Sequence, residues 1–117
     1  MKRLLLLVLV LNASVAYSKT LPDVSAFSKQ QIFENWVQNR CISKIADSKS
    51  LKNDAEASAT AWLEASDLPP ENFEKADKII DTLLKEKVGG TEQGDYQVLK
   101  CSLIVNSDAI RSLKSQK

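Results

Sequence analysis

The amino-acid sequence predicts an all-α fold: a small bundle of four or five helices with one disulfide, preceded by a cleavable signal peptide. Three observations carry this. Apolar residues recur at three- and four-residue intervals in most segments after residue 28. Only three glycines and three prolines occur in 117 residues, too few for the many tight turns of a β-sandwich or barrel. Two cysteines, Cys41 and Cys101, follow an N-terminus that reads as an export signal.

The signal occupies residues 1–18. Lys2 and Arg3 supply the positive start, and residues 4–11 form an unbroken apolar run. Ser14-Val15-Ala16 and Ala16-Tyr17-Ser18 both fit the small-x-small pattern of signal peptidase, so cleavage falls after Ala16 or after Ser18. The run is shorter than the roughly 20 residues a membrane-spanning helix needs. The expected mature chain is then a single domain, residues 19–117, of about 100 residues with a modest core.

Composition narrows the chemistry. Sixteen basic residues stand against 15 acidic ones. Loss of Lys2 and Arg3 leaves 14 against 15, a net charge of −1 for the mature chain. Such a balance offers no bulk attraction to nucleic acid or to an anionic membrane. There is no histidine. The commonest general base and metal ligand is therefore missing, and Ser-His-Asp or Cys-His catalysis is impossible. Two cysteines in an exported chain point to one disulfide. Its loop of about 60 residues would contribute roughly 4 kcal/mol in the chain-entropy model. The competing readings are a pair of buried thiols or a nucleophile without its usual base.

The elements follow in order. Residues 19–27 read as an irregular arm, with Pro22 opposing an early helix. Ser28 and Gln31 form a capping box that starts the first helix, expected over about 29–47. Its apolar face is Ile32, Phe33, Trp36, Val37, Cys41, Ile42 and Ile45. A second helix starts between Ser50 and Asp54. Ala55, Ala57, Ala59 and Ala61 give it propensity and small bulk, so a neighbour can approach closely. Trp62 is its anchor, read as core rather than as a ligand platform. Asp67-Leu68-Pro69-Pro70 stops this helix and starts the third, with proline suited to a first turn. Phe73, Ala76, Ile80, Leu83 and Leu84 form the third stripe, widened by Ile79 and Val88. Glu71 and Glu74 suit its N-terminal end, Lys85 and Lys87 its C-terminal end, and Gly89-Gly90 is the expected stop.

All three glycines fall within residues 89–94. The segment Gly89, Gly90, Thr91, Glu92, Gln93, Gly94 and Asp95 is thus the one glycine-rich loop of the chain. It lacks the lysine and the preceding strand of a phosphate-binding loop. It is either a plain connector or a protruding contact loop. Residues 96–105 are apolar and fit strand or helix by period alone. The helical context favours helix. Asn106-Ser107 then caps a short last helix holding Ile110 and Leu113.

Carboxylates are scattered. Asp77 and Asp81 are four apart and Glu74 and Asp77 three apart, a conceivable hydrolase pair. The interleaved Lys75, Lys78 and Lys85 favour a solvated face instead. No metal-ligand cluster and no cofactor motif occurs, so neither metal nor cofactor is expected. A protein that works by binding, not an enzyme, is the default.

Three segments resemble one known family. They are Arg40-Cys41-Ile42-Ser43-Lys44, the stretch from Asp54-Ala55 through Trp62-Leu63-Glu64 to residues 70–76, and Tyr96-Gln97-Val98-Leu99-Lys100-Cys101 followed by Asn106-Ser107. In this order, behind a signal peptide, they are similar to the immunity proteins of type VI secretion amidase effectors. These are the Tai family in its fourth group, with the related Rap resistance proteins. The resemblance implies a small, helical, periplasmic protein, typically a homodimer. It implies a partner too: a Cys/His peptidoglycan amidase that cuts between D-glutamate and diaminopimelate, blocked to protect the cell from its siblings. It implies that a helix and a protruding loop enter the amidase cleft. The matching loop is 89–95, with Glu92, Gln93 and Asp95 as its polar contacts. The alternatives are a two-cysteine periplasmic acid-stress chaperone and a histidine-free carboxylate hydrolase.

Exported protein is expected to lack the first 16 or 18 residues. Intact-mass measurement of the periplasmic chain checks this, and material still carrying Met1 would refute it.

Overall fold

The computed structural model describes residues 20–114. The signal peptide expected over residues 1–18 lies outside them. Among the described residues the chain forms five α-helices: α1 Lys29–Ile45, α2 Lys49–Glu64, α3 Pro70–Leu83, α4 Gln97–Val105 and α5 Asp108–Lys114. A short 3₁₀ turn, Val24–Ala26, precedes them. No strand is present among the described residues. The apolar, ambiguous segment after residue 96 is helical, as its context suggested.

The capping box forms as expected. Gln31 N–H donates to Ser28 Oγ at 3.1 Å, and Ser28 N–H donates to Gln31 Oε1 at 3.0 Å. Two N–H groups that the first turn leaves unpaired are thereby satisfied. α1 ends at Ile45, slightly short of the expected 47, because Ala46 takes an extended backbone. α2 starts earlier than read, since Ser48 caps it by accepting Leu51 N–H at 3.1 Å. Pro70 occupies the first turn of α3, where its missing N–H costs nothing.

α1 is the hub. It packs on α2, α3 and α4, while α3 and α4 each also hold α5. Its buried side chains are Ile32, Phe33, Trp36, Val37, Cys41 and Ser43. Ile42, read as part of the buried stripe, is only half-buried, and Ser43 is buried in its place with Oγ donating to Arg40 O at 2.7 Å. That bond satisfies the hydroxyl within its own turn, so burial is tolerated. The alanine face of α2 works as read at two of four positions. Ala55 and Ala59 are buried, while Ala57 and Ala61 face solvent. Trp62 is half-buried on the edge of the core and meets Phe27 edge-on at 5.2 Å. Phe73 of α3 takes Phe33 and Trp36 edge-on at 5.4 and 4.9 Å, the geometry the ring quadrupoles favour. Asn72 Nδ2 donates to Leu113 O at 2.9 Å, tying α3 to the end of α5.

The third helix corrects the sequence reading. It stops at Leu83 rather than running to Gly89-Gly90. Leu84 N–H still reaches Ile80 O at 2.9 Å, and the next two amides make tighter bonds to Thr82 and Leu83 carbonyls. The Leu84 carbonyl accepts from Lys100 Nζ at 2.9 Å. In a continuing helix it would have accepted Val88 N–H. Lys85 and Lys87 therefore lie beyond the helix, and the cation at its C-terminal end is Lys100 from α4.

Cys41 and Cys101 are joined, with Cα atoms 5.6 Å apart and both residues fully buried. The bond clamps α4 onto α1. Reduction of the purified chain is expected to cost about 4 kcal/mol of unfolding free energy. Denaturant titrations with and without a thiol reductant measure this. An unchanged midpoint would show that packing alone holds α4.

Candidate functional site

The expected contact loop is the upper part of a connection over residues 84–96 between α3 and α4. Gly89, Gly90, Thr91, Glu92, Gln93, Gly94 and Asp95 are all exposed. Two side chains that the sequence reading did not single out organise it. Lys100, only 8% exposed, holds the start of the connection through the Leu84 carbonyl. Tyr96, half-buried, folds back beneath the loop and donates its hydroxyl to Glu92 O.

Tyr96 stands immediately before α4 with φ 55° and ψ 31°, a left-handed backbone. It is the only non-glycine with positive φ among the described residues. For a side chain of this bulk that conformation costs on the order of 1–3 kcal/mol. No glycine among the described residues has positive φ, so the glycines of this loop are not there to permit left-handed turns. Gly90 answers a different need. A Cβ there would lie 2.7 Å from Tyr96 Cε1, while at Gly89 and Gly94 a Cβ would meet open space. Gly90 lets the tyrosine ring approach the backbone.

α4 behind the loop has two faces. Lys100, Cys101, Ile104 and Val105 are buried. Leu99 and Leu103 lie on the opposite side and are 41% and 50% exposed, and Val98, in the first turn of the helix, is 68% exposed. Period alone left open which of these residues face inward. The disulfide decides it, because turning Cys101 inward turns Leu99 and Leu103 outward.

The carboxylates of α3 do not assemble a hydrolase pair. Asp77 accepts from Arg40 Nε at 2.8 Å and from Lys44 Nζ at 3.2 Å, and Asp81 takes Lys44 Nζ at 2.7 Å. Glu74, Lys75, Lys78, Asp81 and Lys85 are exposed, so the face is solvated as read, while half-buried Asp77, with Asp81, forms an electrostatic seam between α1 and α3. Burial pushes the Asp77 carboxyl up, but the hydrogen bonds and charges of Arg40 and Lys44 together outweigh it and hold the group below its ordinary value. Asp77, Arg40, Trp36, Leu63 and Phe73 also line a groove of about 650 Å³ between α1, α2 and α3. No loop residue lines this groove. No group of His, Cys, Asp and Glu side chains among the described residues is placed to hold a metal ion.

The geometry defines a class: a small helical binding protein whose disulfide-held scaffold presents a loop. The chain belongs to the Tai4 family of type VI secretion system amidase immunity proteins, whose model matches residues 31–114. It is an immunity protein and not an enzyme. A chain of the crystal structure of the effector Tae4 from Salmonella typhimurium in complex with the immunity Tai4 from Enterobacter cloacae is 78% identical. That match covers 83% of this chain and 100% of that chain, with a TM-score of 0.80. A chain of the Tae4-Tai4 effector-immunity complex from Enterobacter cloacae is also 78% identical, with 84% and 100% covered and a TM-score of 0.81. A chain of the Tae4/Tai4 structure from Salmonella typhimurium has a TM-score of 0.76 at 23% identity, covering 83% and 96%, and so shares the fold. No curated protein matches.

The seam gives a pH-dependent expectation. A carboxyl with a depressed folded pKa adds stability above its unfolded value, near 3.9, and loses it as pH falls through the folded value. Asp77→Asn is expected to cost about 1 kcal/mol at pH 7, after allowance for solvent screening. The difference from wild type should vanish in strong acid. Urea titrations at pH 7 and near pH 2 measure it, and an equal cost at both would refute the ionic origin.

Proposed function

We propose that the mature chain acts in the periplasm, where it binds a Tae4-type peptidoglycan amidase and closes its active-site cleft with residues 89–95. The observation that carries the reading is the 78% identity to chains of two Tae4-Tai4 structures, over 83–84% of this chain. An effector that grips one such chain meets nearly the same surface on this one.

The loop suits a cleft. It is exposed along its length, the connection leading into it is held by Lys100 at Leu84, Tyr96 closes it through the Glu92 carbonyl, and it carries the carboxylates of Glu92 and Asp95. An amidase that cuts beside D-glutamate accepts a peptide stem bearing carboxylates. A loop offering carboxylates on a fixed frame competes for that site, and a preformed frame limits the ordering entropy of binding. Gln93 supplies a donor and an acceptor between them.

Export and self-association belong to the same proposal. Among the described residues no helix is long and apolar enough to cross a membrane. Signal cleavage after Ala16 or Ser18 would release the domain where the disulfide can form and where a wall-cutting enzyme acts. Exposed Val98, Leu99 and Leu103 offer an apolar surface of the kind a homodimer buries.

Replacing Glu92, Gln93 and Asp95 together by alanine is expected to weaken binding to Enterobacter cloacae Tae4 by at least about 100-fold, the loss of two or more charge-assisted contacts. Calorimetry with the oxidised chain and an amidase inhibition assay measure it. Full inhibition by the folded triple variant would refute the loop reading.

A further inference from the structure

We infer that Tyr96 is a positioning residue for the binding loop: its hydroxyl and ring latch residues 90–95 into one shape before a partner arrives. The inference rests on the reading of that loop as the binding element and adds what sets its conformation.

Three observations converge on Tyr96. Its backbone is left-handed, a conformation that glycine or asparagine would take with less strain. Its hydroxyl donates to the Glu92 carbonyl, closing the loop on itself. Its ring occupies the space a Cβ at Gly90 would need, within 2.9 Å at Cζ and Oη. A connector that only had to span α3 to α4 would need none of these. The strained backbone aims the ring back under the loop, and the ring joins Gly90 to Glu92. α4 carries the latch, and Cys101 and Lys100 fix α4 from behind. Glu92 and Asp95 are thereby presented from a loop closed at its neck. Among the described residues no side chain bonds the Glu92 or Asp95 carboxylate, and the latch acts through the backbone at Glu92.

The test uses the oxidised mature chain and Enterobacter cloacae Tae4 as the probe. Tyr96→Phe keeps the ring and removes the hydroxyl. Gly90→Ala keeps the hydroxyl and displaces the ring. Each is expected to speed amide hydrogen exchange in residues 90–96, to leave exchange in α1 and α3 unchanged, and to weaken binding about fivefold, the worth of one hydrogen bond. Faster loop exchange with unchanged affinity overturns the latch. Weaker binding without faster loop exchange also overturns it, because Tyr96 would then touch the partner directly. The triple alanine variant separates the two readings. If it binds normally, the loop reading fails and the latch with it. If it loses binding while both latch variants behave as wild type, only the latch fails.

Discussion

The bond between Cys41 and Cys101 is the constraint on which the rest of this small domain depends. α4 has nine residues, a length at which an isolated helix is not stable in water. It must be held by what it packs against, and the disulfide joins it to the C-terminal third of α1, the helix that touches α2, α3 and α4. With Cys101 turned inward, the helical repeat also turns Ile104 and Val105 inward and Leu99 and Leu103 outward. One covalent bond thus sets the rotation of α4, and with it the position of Tyr96 and the end of the loop.

Charge does a second, quieter job. Arg40 and Lys44 on α1 face Asp77 and Asp81 on α3, joining two helices whose apolar faces already meet at Phe33, Trp36 and Phe73. Lys100 is more unusual, a buried cation whose acceptor is the backbone carbonyl of Leu84. At the C-terminal end of α3 it meets a carbonyl left unpaired by the helix and the negative end of the helix dipole. It satisfies the carbonyl that a further turn of α3 would have used. The residues that follow form the lower part of the connection that carries the loop. From adjacent positions, the disulfide fixes α4 on the scaffold and this lysine fixes the start of the connection.

Much of this was legible in the linear chain because it depends on local chemistry. The Ser28–Gln31 capping box, the Pro69-Pro70 boundary and the Ser107 cap involve residues within four positions of one another. The cysteine pair was legible because two cysteines behind what reads as an export signal leave one intramolecular pairing. The family was legible from the order of three short segments, each uninformative alone. The loop was found through glycine clustering, although the physical need for glycine proved to be the room that Gly90 leaves for the Tyr96 ring. Residues joined across the bundle were not legible. Lys100 lies 16 positions from Leu84, and Arg40 lies 37 from Asp77. A lysine within the apolar run Val98-Leu99-Lys100-Cys101 was the one available hint of a buried cation.

The sequence by itself determined the class of fold, the starts of α1, α3 and α5, the covalent link and the family, since each rests on short-range spacing or on a count. The tertiary structure alone decided where α3 ends, which face of α4 is inward, what the α3 carboxylates are for and how the loop is held. Those outcomes depend on contacts between groups far apart in the chain. Helical period gives a residue its angle around the axis, and only packing against a neighbour says which angle points to the core.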